Sequence, residues 1–289
     1  MKKRIFTYIV LVLGICISLI LPEEKPKVEP IVEGLELTFV DVGQGDAVFM
    51  RTLDGETWLV DGGEDEWAQI ELLPFLETQG VDKIDYAVVT HYHNDHTGGI
   101  FQLLKSGRIK TLVLPNYTPK NSAKKGLLKN AEVSHTAVVD VSAGDVLESE
   151  DENLKICVLH PEKGGFDHDN ENSNSLVLRV EYLGTSALLV GDMEEDAEKA
   201  LLPKYDLEVD ILKVGHHGSS TSTSRSFIEE VNPTYGIISA GEGNSYGHPH
   251  YEVLDRLDYN DVRVYRTDRD GDITFVLNES GIGKISTEE

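Results

Sequence analysis

From Leu35 onward, short apolar runs alternate with polar turns, and the spacing of the runs outlines a mixed α/β body. LELTFVD (Leu35–Asp41), AVFMRTL (Ala47–Leu53) and TWLVD (Thr57–Asp61) predict strands, the last two joined by the hairpin turn Asp54-Gly55. Trp67 to Gln79 predicts a helix stopped by Gly80. IDYAVVT (Ile84–Thr90) predicts a strand, followed by a helix beginning after Gly98-Gly99 and a strand KTLVLP (Lys110–Pro115). The polar stretch 115–130 predicts a loop with one short helix at most. Further strands are expected around HTAVVDV, LKICVLH, SLVLRVEY and SALLVGD, then a helix from Glu194 to Leu202. The strand DILKV, helices near 222–230 and 251–257, and the strands YGIISAG, VRVY and ITFVL complete the pattern. Several strands (FVDV, AVVT, LLV) are apolar at successive positions, as sheets covered on both faces require. Two similar halves of this kind predict a four-layer αββα sandwich.

The N-terminus follows a different rule. Lys2-Lys3-Arg4 precedes the mostly apolar Ile5–Leu21, and Pro22 opens an acidic, proline-containing linker. This order predicts an uncleaved single-pass anchor with the body outside the cytoplasmic membrane; a cleaved signal and secretion are the alternative. The expected organisation is an anchor or signal at 1–21, a linker at 22–34 and a single domain at 35–289.

Charge narrows the partners. The 289 residues carry 26 Lys+Arg against 51 Asp+Glu, a net charge of −25. Past residue 30 the balance is 21 bases to 48 acids, near −27. Such a body repels polyanions at long range and has no basic footprint for long duplex. The two cysteines, Cys16 in the apolar run and Cys157 in a strand, allow neither a disulfide within the body nor a zinc finger.

The chemistry concentrates in THYHNDHTGG (Thr90–Gly99). His91 and His93, two apart at a strand end, project to one side and can grip one divalent ion. Asp95 and His96, across a turn, are placed to grip a second. The other half supplies Asp192 at the end of SALLVGD, able to bridge two ions, and His216-His217 at the end of DILKV. Two such ions sharing a water form a hydrolytic centre. Neighbouring residues on an extended segment point to opposite sides, so His216 and His217 are expected to serve different purposes. Softer candidates surround these. The glycines of VDVGQGDA allow a tight loop, either an anion-facing nest or a plain connection. Asp61 is expected to orient metal ligands through hydrogen bonds, with Asp46 beside it. His248 is a candidate proton donor or phosphate contact, Lys213 a candidate phosphate contact, and His250 a structural residue opening a helix.

The set FVDVGQGDA, LVDGG, THYHNDHTGG, NSNSLVLRV, LLVGDME, LKVGHHGSSTS and NSYGHPH, spread over residues 35 to about 277, resembles the metallo-β-lactamase superfamily. Within it, the set is most similar to the extracytoplasmic hydrolase domain of the competence protein ComEC. The resemblance implies the αββα fold and a dinuclear zinc or manganese hydrolase using a metal-bound hydroxide, most simply a phosphodiesterase or nuclease. It implies His91 and His93 on the first metal, Asp95 and His96 on the second, Asp192 bridging, and His217 completing the second site. His216 would then contact substrate or donate a proton, with Asp95 and His248 also in the catalytic set and Lys213, Ser219 and Asn174 facing substrate. The histidine that many members place between the hexad and the bridging aspartate is absent from NENSNSLVL (Asn170–Leu178), where Asn174 or Ser175 could take its place; His168 lies nearby. Implied substrates are short or single-stranded nucleic acid, or a cell-surface phosphocholine or teichoic-acid-type ester. Carboxyl-ester, lactone or lactam hydrolysis is a further alternative, and a metal-stabilised binding module without turnover is the non-enzymatic one.

Overall fold

The computed structural model describes residues 34–167 and 169–287. The expected anchor at Ile5–Leu21 and the candidate His168 lie outside the described residues. Among the described residues, no helix is long and apolar enough to cross a membrane.

Among the described residues, fifteen strands form two sheets. The first has eight strands, in the order β15 (Gly281–Thr287), β14 (Ile273–Asn278), β1 (Leu35–Phe39), β2 (Val48–Arg51), β3 (Thr57–Val60), β4 (Ile84–Val88), β5 (Ile109–Pro115) and β6 (Ala137–Val141). The second has seven: β13 (Arg263–Arg266), β12 (Tyr235–Ile238), β11 (Ile211–Lys213), β10 (Thr185–Leu189), β9 (Val177–Tyr182), β8 (Leu154–His160) and β7 (Val146–Leu147). β3 through β6 run parallel, as do β10 through β13, and the remaining pairs are antiparallel.

Alternation along the strands builds the layers. Leu35, Leu37, Phe39, Met50, Trp58, Val88 and Val113 of the first sheet share one core with Leu178, Val180, Ala187, Leu189, Ile211 and Ile237 of the second. The opposite parity faces helices. Phe49, Leu59, Ala87 and Leu112 pack with Leu72, Leu76, Ile100, Leu103 and Leu127. Val177, Leu188, Leu212 and Ile238 pack with Ala197, Leu201, Phe227, Ile228 and Leu257. Three apolar interfaces separate four layers, the αββα sandwich. At roughly 1.5–3 kcal/mol for each large apolar side chain removed from water, these interfaces are the main source of stability.

Two local expectations are corrected. The helix expected after Gly98-Gly99 begins at Asn94 and runs to Lys105, with both glycines inside it. A Cβ on Gly98 would stand 2.2 Å from the Asp65 backbone N, and one on Gly99 2.2 Å from the Gly62 carbonyl O. The glycines let the helix touch the loop after β3 rather than break it. The polar stretch expected as mostly loop contains the helix Ala123–Ser134, which buries only Leu127 and Ala131, one turn apart.

Candidate metal centre

The carboxyl ends of the parallel strands converge on one cleft, where open α/β sheets place their ligands. β3 leads to Asp61, β4 to the hexad, β10 to Asp192, and β11 to the histidine pair.

His93 stands at the N-terminal end of the helix Asn94–Lys105, so Asp95 and His96 occupy its first turn. The Nε2 of His91 lies 3.1 Å from the Nδ1 of His93. Asp192 reaches this pair with Oδ2, 3.8 Å from His91 Nε2. Its Oδ1 faces a second set, 3.3 Å from His96 Nε2 and 3.4 Å from His217 Nε2. His217 Nε2 is 3.4 Å and His96 Nε2 3.9 Å from Asp95 Oδ2. The structure therefore brings Asp95, His96, Asp192 and His217 together, and His91, His93 and Asp192 beside them.

Both groups have the donor types of divalent-cation sites, and the group of Asp95, His96, Asp192 and His217 is also short of partners without one. His96 Nε2, His217 Nε2 and Asp192 Oδ1 are buried atoms with no hydrogen-bond partner. Three buried polar atoms without partners converging on one point are costly unless a cation satisfies them. Four donors at about 2.1 Å from a tetrahedral ion stand about 3.4 Å apart, the spacing found here. Burial works against charging His217, but Asp192, Asp46 and Asp95 outweigh it and hold the ring up to about 10. Burial likewise opposes an ionised Asp192, yet His217, His96 and His91 hold it well below the usual carboxylate range. Without an ion, protons on the imidazoles balance the carboxylates; a bound cation takes over that balance.

Behind the donors lies a second layer of carboxylates. Asp61, at φ 62, accepts from the backbone N (2.8 Å) and Oγ1 (2.6 Å) of Thr90, and its Oδ2 lies 2.7 Å from His96 Nδ1. The Nδ1–H of His96 donates to it, which leaves Nε2 as the lone-pair nitrogen. His217 is fixed in the same sense: Nδ1 lies 3.1 Å from the Ser239 carbonyl and 3.2 Å from Asp46 Oδ1.

Several expected roles change. Lys213 does not face substrate. It shares the parity of Ile211, points between the sheets, is 1% exposed, and its Nζ forms a 2.8 Å ion pair with Asp46. Asn174 is also taken: it is buried, its Oδ1 accepts from Phe166 N and Asp167 N, and its Nδ2 donates to the carbonyls of Asp167 and Asn170. It shapes a loop and offers nothing to an ion. Ser175 Oγ accepts from Asp192 N at 3.1 Å, positioning the bridging residue. Ser219 is buried, 3.0 Å from Thr221 Oγ1. The VGQGD loop is a tight connection, since a Cβ on Gly45 would lie 2.3 Å from the Asp95 carbonyl, and its amides at Gly43 and Asp46 are already used.

The histidine pair departs most. The segment is not extended: His216 (φ 48, ψ 49) and His217 (φ 53, ψ 23) are consecutive left-handed residues between Gly215 and Gly218. Both side chains consequently reach Asp192, His217 at Oδ1 and His216 Nε2 at 3.7 Å from Oδ2. His248 lies beside them, ring centroids 5.7 Å from His216 and 6.3 Å from His217. Burial and the neighbouring imidazoles push His248 down to about 4, so it is neutral at neutral pH. His250 precedes the helix Tyr251–Tyr259, and its Nδ1 accepts from Ser220 N at 2.9 Å.

The sequence reading missed Glu194, whose Oε1 is 3.4 Å from His216 Nδ1. Its only signal is its place two residues beyond Asp192, on the same strand end. Tyr246 was missed as well. It is 64% exposed and stacked on His248 at 5.6 Å and 21°.

An αββα sandwich with a paired His/Asp centre at its strand ends defines a class: the chain belongs to the metallo-beta-lactamase superfamily, whose family model matches residues 40–242. Within that class it is similar to ComE operon protein 3 of Bacillus subtilis, 35% identical over 257 residues, covering 83% of this chain and 33% of that protein. It is also similar to competence protein ComA of Neisseria gonorrhoeae, 32% identical over 264 residues, covering 90% and 34%. The chain thus spans about a third of the length of these relatives. Among solved structures, the metallo-beta-lactamase fold protein YhfI of Bacillus subtilis superposes with a TM-score of 0.52 at 13% identity, covering 80% of this chain and 95% of that one.

Proposed function

We propose that the protein is a dinuclear, metal-dependent phosphodiesterase of the ComEC type, acting on short or single-stranded nucleic acid. The observation that carries this reading is Asp192, whose two carboxylate oxygens face two separate donor sets. His91 and His93 would hold one ion, Asp95, His96 and His217 the other, with Asp192 shared. Two divalent ions bound there, zinc or manganese, would supply Lewis acidity and activate water at neutral pH.

The chain's own groups do the rest. Asp61 and Asp46 hold His96 and His217 in the tautomer that presents Nε2. Neutral His248, its Nδ1 buried and unpartnered, offers a ring N–H to a phosphoryl oxygen rather than a strong acid to the leaving group. Tyr246 presents a solvent-facing ring on which an unpaired base can stack. Beside His216, a polar pocket of about 260 Å³ carries Arg225 and Arg256 together with Ser220, Thr221 and Ser224. Glu195 lines the same pocket, Arg225 is paired with Glu229, and Arg256 donates to the carbonyls of Ser222, Thr223 and Glu252, so the pocket's charge is already balanced; Ser219 Oγ supports it through Thr221. The segment Ile5–Leu21 would tether this domain, residues 35–289, to the outer face of the cytoplasmic membrane.

The test is an activity panel on the purified protein with added manganese or zinc. Single-stranded oligonucleotides, bis(p-nitrophenyl) phosphate, a phosphocholine ester, nitrocefin and a lactone are compared. Preferential cleavage of the oligonucleotide is expected. Preference for the phosphocholine ester would move the substrate to the cell surface, and turnover of only nitrocefin or the lactone would overturn the phosphodiester reading.

A further inference from the structure

We infer that His216 is the third histidine ligand of the first metal site, beside His91, His93 and the shared Asp192, with Glu194 as the carboxylate that orients it; this rests on the dinuclear reading above. Three histidines around Asp192 share one arrangement. His96 has Asp61 behind Nδ1 at 2.7 Å and Nε2 at 3.3 Å from Asp192. His217 has Asp46 behind Nδ1 at 3.2 Å and Nε2 at 3.4 Å from Asp192. His216 has Glu194 at 3.4 Å and Thr221 Oγ1 at 3.2 Å beside Nδ1, Thr221 itself donating to Glu194, and its Nε2 is 3.7 Å from Asp192. A carboxylate behind one ring nitrogen fixes the tautomer so that the other meets a metal.

The carboxylate oxygens of Asp192 say which metal. Oδ1 serves His96 and His217, whereas Oδ2 serves His91 at 3.8 Å and His216 at 3.7 Å. His216 and His91 therefore face the same oxygen of Asp192, on the side of the His91, His93 and Asp192 group. Within NENSNSLVL, Asn174 is bound to its own loop and Ser175 holds the Asp192 amide, so neither is a donor there. Asn172 Nδ2 instead lies 3.4 Å from His216 Nε2. The missing histidine is supplied from the neighbouring strand end.

The backbone accommodates this at a cost. A left-handed conformation is disfavoured for an L-residue, and two in succession at His216 and His217 put both rings on one carboxylate. Strain of this kind persists where the surrounding structure over-determines it.

The test reads metal, not turnover. Full-length protein, stripped and titrated with manganese, is followed by calorimetry and elemental analysis, with circular dichroism as the folding control. Wild type should bind about two ions and His216→Ala about one. Glu194→Gln should weaken the first site by about 10–100-fold while still filling at high manganese. Two ions bound by His216→Ala with wild-type affinities would overturn the assignment. Should that variant not fold, ring-nitrogen NMR of zinc-loaded wild type decides: a metal-shifted His216 Nε2 supports the inference, a free-ring signal sinks it. Loss of one ion in His216→Ala alongside a wild type that cleaves no phosphodiester would count against the substrate reading alone.

Discussion

The two sides of Asp192 are built differently. On the Oδ1 side, His96 and His217 are buried, their Nε2 atoms stand 3.3 and 3.4 Å from the shared oxygen, and each ring is locked by a carboxylate or carbonyl. On the Oδ2 side the donors stand 3.7 and 3.8 Å away, and His93 and His216 are partly exposed. One site is preorganised and reaches solvent only through Asp95, the other is looser and reaches it through His93 and His216. Preorganisation lowers the cost of binding, so the Oδ1 site should fill first and the Oδ2 site should exchange with solution and meet substrate.

The largest test of this asymmetry removes what the sides share. Asp192→Ala should abolish both sites, leaving no ion bound after gel filtration; one retained ion would mean that the closed side does not need Asp192.

Next comes the support of the closed side. Asp61→Asn should weaken its ion by about 10–100-fold while sparing the other site. Asp46→Asn should do the same and also destabilise the fold by about 3–5 kcal/mol, because it leaves the Lys213 ammonium buried without its partner. Denaturant unfolding distinguishes the two, and Lys213→Met in the Asp46→Asn background should recover part of the loss.

A smaller effect follows from protons. His217 is held up to about 10 in the ion-free centre, so at neutral pH a proton occupies the nitrogen an ion needs. Acid therefore favours the proton and base favours the metal. Affinity at the closed site should fall by up to about tenfold for each pH unit lowered from 9 to 7. Calorimetry in buffers of different ionisation heat should show proton release on binding; none would mean that His217 is neutral beforehand.

The smallest concerns the helix that carries Asp95 and His96. Gly99→Ala should cost about 1–3 kcal/mol of stability, because its Cβ would meet the Gly62 carbonyl at 2.2 Å. A shift of the thermal midpoint checks it.

Much of this architecture is legible in the sequence because alternation is local. Leu35, Leu37 and Phe39 declare one face of a strand regardless of what packs on it, and a hexad at a strand end declares a ligand cluster. What stays hidden depends on distant partners. Gly98 and Gly99 look like helix breakers until the loop after β3 lies against them. Lys213 looks like a cation beside a phosphate site until Asp46 is found under it. His216 and His217 look like neighbours facing apart, because the left-handed turn they adopt is imposed by tertiary contacts and signalled only by the flanking glycines.

The ligands also come from both sheets. His91, His93, Asp95 and His96 follow β4 of the first, whereas Asp192, His216 and His217 follow β10 and β11 of the second. Ions held between them would act as a clasp across the sandwich, a mechanical role separate from any reaction. Each filled site should brace the fold by about 2.7 kcal/mol at a hundredfold excess over its dissociation constant. A chelator would then loosen the seam between the sheets, and the melting temperature becomes a gauge of occupancy that needs no substrate.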